Sequence, residues 1–113
     1  MKTPTILLTG ATGHMGTEVL HQLYAHENNY NIHILALPSR KDKRKLKPLL
    51  QDERVKVIWG DLRNFEDVKK AVKGTDYVLH VGALVSPVAD RHPELAWEIN
   101  FGGTKNIVDA RLE

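Results

Sequence analysis

"LLTGATGHMGTEVL" (residues 7–20) sets Gly10, Gly13 and Gly16 three apart, directly after an apolar run and directly before a helical pattern. Upstream, Thr5, Ile6, Leu7 and Leu8 form a short β-prone run between Pro4 and Gly10. Downstream, Met15, Val19, Leu20, Leu23 and Tyr24 recur at helical spacing and predict one apolar face. The unit is strand, glycine turn, helix.

The same alternation runs along the chain. "NIHILAL" (31–37) is a second strand closed by Pro38-Ser39, and "RVKVIWG" (54–60) is a third. Asn64 is a candidate N-cap, with Glu66 and Asp67 in the first turn where the helix dipole favours anions. Phe65, Val68, Ala71 and Val72 give that helix its buried face, and Gly74 ends it. "DYVLHVGA" (76–83) is a fourth strand, and a last helix is expected from Pro93 to about Arg111 with Leu95, Ile99, Ile107 and Val108 inside. Strands alternating with helices mean a parallel sheet. Right-handed crossovers order it 3-2-1-4, so the fold class is α/β: a three-layer, Rossmann-type, partial doubly wound parallel sheet over residues 1–111.

Composition bounds the chemistry. At 113 residues, 42% hydrophobic and 27% charged, the chain suits one globular domain. No cysteine is present, which excludes disulfides and thiolate nucleophiles or ligands. No apolar run approaches the roughly 20 residues of a membrane span, and Met1-Lys2-Thr3-Pro4 leads into a strand without a secretory signal, so a cytoplasmic location away from membranes is expected. Leu112-Glu113 reads as a possible tag remnant. Six histidines (His14, His21, His26, His33, His80 and His92) lack metal-ligand spacing, so no metal site is expected. "RKDKRKLK" (40–47) concentrates six bases and one acid, but without interleaved aromatics it reads as a solvated helix or loop and not a nucleic-acid patch.

A pyrophosphate needs its charge matched without crowding, and amides at a helix N-terminus do this when no side chain intervenes. In "GATGHMG" (10–16), Gly10 makes the turn out of the strand, Thr12 and Gly13 carry the loop past the phosphates, His14 and Met15 donate amides, and Gly16 lets the helix lie close to the sheet. About 20 residues on, an NAD site places an acid and an NADP site a base. Ser39 and Arg40 stand there, followed by Lys41, which favours NADP over NAD, with Asp42 the competing acid.

With these residues in place the chain resembles the short-chain dehydrogenase/reductases, in particular their extended, epimerase/dehydratase-like branch. The resemblance rests on "TGATGHMG" (9–16), "GDL" (60–62), "HVGA" (80–83) and "NFGGTKNIVDA" (100–110), in the family's order. It implies that Asp61 and Leu62 meet the adenine, that Val81, Gly82 and Ala83 line the pyrophosphate and nicotinamide-ribose channel, and that Asn100 bonds backbone near the fourth strand. Gly82 departs from the family's alanine, which is expected to loosen packing beside the cofactor.

The family's Tyr-x-x-x-Lys pair is missing: Tyr24, Tyr30 and Tyr77 are followed four residues on by Asn28, Ile34 and Val81. The chain thus reads as the cofactor-binding portion of an NAD(P)-dependent reductase, epimerase or dehydratase, inactive by itself. The alternative is a non-catalytic module that senses dinucleotide. A homodimer or higher oligomer is expected, joined through the fourth strand's edge, the last helix or an exchanged C-terminal segment, with Leu84, Val85, Val88, Leu95, Trp97 and Ile99 leaving an apolar surface.

Overall fold

The computed structural model describes residues 3–25, 30–82 and 88–112. Strands β1 (Thr5–Thr9), β2 (Asn31–Ala36), β3 (Val55–Trp59) and β4 (Tyr77–His80) form one parallel sheet in the order β3-β2-β1-β4. Every residue of β1 is buried, as a central strand covered on both faces requires.

Successive side chains of β1 point to opposite faces and so seed two cores. Leu7 joins Leu35, Val68, Ala71, Val72, Ile107 and Ala110 beneath α3 (Phe65–Val72) and α6 (Gly103–Leu112). Leu8 joins Leu20, Ile32, Ile34 and Leu46 beneath α1 (His14–Ala25) and α2 (Arg40–Leu46). The α3 start is as the sequence predicts: Asn64 Oδ1 accepts from the Glu66 and Asp67 amides at 3.0 and 3.3 Å. Gly74, at φ +80°, turns the chain towards β4.

The basic run takes the helical form of the expected solvated helix or loop: α2 is capped by Ser39 Oγ, which accepts from the Asp42 amide at 3.1 Å, and is anchored by buried Leu46. Other expectations change. Met15 is 70% exposed, because the sheet-facing positions of α1's first half are Gly16 and Leu20. Val108 is exposed, and Gly103, Ile107 and Ala110 supply the inner stripe of α6. The single helix expected after Pro93 is α5 (Pro93–Trp97), a π turn (Glu98–Gly102) and α6. Glu98 and Gly103 at the junctions keep helical dihedrals, so the axis continues through a widened turn. A further short helix, α4, spans Val88–Arg91.

At the opposite end of the sheet, Tyr24 Oη donates to Asp52 at 3.1 Å, and Arg54 grips the same carboxylate at 3.0 Å. The guanidinium beside it holds Asp52 down at about 2.

Candidate functional site

The carboxyl ends of the strands open on a cleft of about 220 Å³, the position at which open α/β sheets take ligands. The glycine loop contributes Gly10, Ala11 and Thr12, the end of β2 contributes Leu35, Ala36 and Leu37, and the segment after β3 contributes Gly60, Asp61 and Leu62. Gly82 follows β4, Ile99 projects from the π turn, and Asp42 enters from α2.

The loop is compact because its glycines meet backbone. Gly10 has φ +76°, and a Cβ there would stand 2.7 Å from the Gly82 nitrogen; one on Gly16 would reach 1.6 Å from the Gly10 carbonyl oxygen. Gly13 differs: a Cβ would touch only the Gly10 oxygen, at 3.6 Å, so the space above it is open to a ligand. The Gly13 amide donates to the Gly10 carbonyl at 3.1 Å, and the helix begins at His14. By helix geometry the amides of His14, Met15 and Gly16 have no partner within α1. Lys45 Nζ donates to the Thr12 carbonyl at 2.8 Å and ties the loop to α2.

Asp61 and Leu62 line the cleft, but the Asp61 carboxylate is engaged by Arg63, at 2.7 Å from its terminal nitrogen and 2.9 Å from its amide. The guanidinium keeps Asp61 below the usual carboxylate range. Arg63 also approaches Glu98 at 3.6 Å, and Asn106 Nδ2 donates to the Leu62 carbonyl at 2.8 Å. The segment is therefore strapped to the π turn by Arg63 and to α6 by Asn106, two residues to which the sequence assigns no role. Asn106 lies within "NFGGTKNIVDA" (100–110), and its place in that stretch is the signal available for it.

Gly82 is not loosely packed. A Cβ there would lie 3.0 Å from Leu62 Cδ1 and 3.2 Å from Thr9 Oγ1, because those two side chains have closed over the position. Thr9 Oγ1 accepts from the Val81 and Gly82 amides at 3.0 and 2.9 Å, clamping the end of β4 to β1. Asn100 sits half-buried in the π turn, and its carbonyl accepts from Thr104 Oγ1 at 2.6 Å. Ser39 and Arg40 are exposed at the start of α2, whereas Asp42, turned inward within the basic run, is on the cleft wall. Ala83, Leu84 and Val85 lie outside the described residues. Among the described residues, no three metal-ligating side chains gather, and no helix is long and apolar enough to cross a membrane.

A parallel sheet in the order 3-2-1-4 with a glycine loop running into α1 defines a Rossmann-type, dinucleotide-binding class of domain. Residues 7–113 match the 3-beta hydroxysteroid dehydrogenase/isomerase family, and the chain belongs to it. It is 32% identical over 109 residues to a UDP-glucose 4-epimerase of Rickettsia bellii, an alignment covering 94% of this chain and 32% of the epimerase. The chain thus spans about a third of the curated relatives it matches. Among solved structures, Pen from Bacillus thuringiensis superposes with a TM-score of 0.83 at 23% identity, over 96% of this chain and 34% of that one. A short-chain dehydrogenase/reductase superfamily protein from Agrobacterium tumefaciens, solved with bound NAD, gives 0.66 at 26% identity over 95% and 28%.

Proposed function

We propose that the chain binds a nicotinamide dinucleotide and forms the cofactor-holding portion of an NAD(P)-dependent reductase, epimerase or dehydratase. The observation that carries this reading is the cradle at Gly10, Gly13 and Gly16. Two of its glycines are filled by backbone and the third is left open before a helix N-terminus. The pyrophosphate would sit over Gly13 against the amides of His14 and Met15, with the adenine end between Leu37 and Leu62 and the nicotinamide end past Val81 and Gly82. Bound nicotinamide supplies hydride exchange. This chain's residues bind and orient it, and they hold no Tyr-x-x-x-Lys pair to move the accompanying proton. Hydride transfer by these residues alone is therefore not expected.

The reading extends to NADP over NAD. Arg40 and Lys41 offer cations beside the ribose end, while Asp42 on the cleft wall opposes a 2′-phosphate. Calorimetric titration with NADP, NAD and ADP tests both statements. Arg40→Ala should weaken NADP selectively, and Asp42→Asn should strengthen it. Absence of heat with folded protein at millimolar nucleotide sinks the binding claim, and tighter NAD binding reverses the preference. Hydride transfer by the chain alone, followed by nicotinamide absorbance, would show that the proton-transfer group has been misplaced.

A further inference from the structure

Behind the Val81–Gly82 wall of the cleft, His80 joins three elements. It lies opposite Thr9 in the β1–β4 register. Its Nδ1 is 2.6 Å from Thr9 Oγ1 and its Nε2 is 3.0 Å from Thr104 Oγ1 on α6. Counting donors fixes the protons. Thr9 Oγ1 already accepts the Val81 and Gly82 amides, which fills both lone pairs, so its own proton must go to His80 Nδ1. Nδ1 is then an acceptor, and the proton of the neutral ring resides on Nε2 and is donated to Thr104. Thr104 passes its own proton on to the Asn100 carbonyl in the π turn at 2.6 Å. Each bond runs in one direction, from Thr9 to the turn that carries Ile99 into the cleft.

We propose that His80 is a positioning residue for the cleft: as the neutral Nε2–H tautomer it locks Thr9 onto the Val81 and Gly82 amides and couples that wall to the π turn. The ligand-binding arm of its test rests on the dinucleotide reading; the network itself does not.

A second proton would place an N–H on Nδ1 against an oxygen with no free lone pair, so one of the two amide bonds would have to open. Gly82 abuts Gly10, so the wall and the phosphate loop would loosen together. Burial pushes the His80 imidazolium below its ordinary value of 6.5. The charged groups on the elements packed against it are engaged elsewhere. On α6, Lys105 pairs with Asp109 at 2.7 Å, and Arg111 donates to the Thr75 and Asp76 carbonyls, both at 2.8 Å. Asp76 itself accepts from the Thr5 amide, Glu98 in the π turn faces Arg63, and β1 carries no charge. Because the folded state binds this proton less readily than the unfolded chain, the network's stability is complete above about pH 6.5 and is lost as pH falls.

The experiment is nitrogen-detected imidazole and amide NMR on the whole labelled chain at neutral pH, with parallel NADP titrations. His80 is expected as the Nε2–H tautomer. His33, whose Nδ1 faces the Ala71 carbonyl at 3.1 Å, provides the opposite tautomer as an internal reference. Thr104→Val should move the Val81 and Gly82 amide resonances and weaken NADP roughly two- to tenfold, the worth of one hydrogen bond. Thr104→Ser should restore both. Acidification should shift the same two amides as His80 titrates. An Nδ1–H tautomer at His80, or unmoved Val81 and Gly82 amides in Thr104→Val, overturns the proposal. The expected tautomer and amide coupling in a chain that binds no NADP would uphold the network and overturn the dinucleotide reading instead.

Discussion

Gly13 and Gly16 lie three residues apart, one before and one inside the first turn of α1, yet substitution should affect them by different physics. At Gly16 a methyl group would enter the Gly10 carbonyl, at 1.6 Å, so α1 must lift from the sheet. Gly16→Ala should cost at least about 2 kcal/mol, the scale of an overpacked contact without room to relax, and urea unfolding measures it. At Gly13 the nearest obstacle is 3.6 Å away and φ is not positive, so a side chain meets little in the free protein. Gly13→Val should keep the melting temperature within a few degrees while abolishing nucleotide heat, because the valine occupies the space proposed for phosphate. Equal destabilisation by the two variants would show that Gly13 serves packing alone. The glycine spacing alone already assigns Gly13 to the phosphate side and Gly16 to helix–sheet packing; the distance of each from the Gly10 carbonyl, 3.6 Å against 1.6 Å, adds the size of the contrast.

Helices were legible to the degree that their signals were local. In α3, the cap at Asn64, the acids after it, the apolar stripe and the closing Gly74 lie within one short stretch, and each occupies the place that stretch predicts. Asn64→Ala should accordingly cost about 1 kcal/mol, since two amides lose their acceptor; denaturant melts check it, and Asn64→Asp should be nearly neutral. For α2 the cap was equally local, at Ser39, but charge dominated the reading and hid the inward turn of Asp42 and the reach of Lys45 to Thr12. The π turn was not legible, because it answers long-range demands. One added residue per turn lets Ile99 face the cleft while Gly103, Ile107 and Ala110 still face the sheet. Met15 and Val108 misled for a related reason: apolar spacing marks a stripe, but which edge of the stripe meets the sheet is decided by partners far along the chain.

At the scale of the whole molecule, the sheet has an unbalanced edge. β1 pairs on both sides, with β2 and β4, whereas among the described residues β4 pairs only with β1. Tyr77 and Leu79 on β4 are 61% and 37% exposed, so this edge offers apolar side chains as well as unpaired backbone groups. On the last helical stretch, Trp97 and Phe101 stack with ring centroids 4.7 Å apart, yet each is more than half exposed. Two large aromatic rings in water form the kind of apolar patch that is usually covered by a partner. A dimer or higher oligomer is therefore expected, and Trp97→Glu or Phe101→Glu should shift it towards monomer without lowering the melting temperature of the monomeric state, because neither ring belongs to either core. Light scattering across a broad concentration range measures the association, and a Lys substitution at Leu79 distinguishes the strand edge from the aromatic pair. If Leu79→Lys dissociates the assembly and Trp97→Glu does not, the sheet edge is the joint. A chain that is strictly monomeric at the highest concentration would show that both surfaces stand uncovered in solution and that the association argument fails.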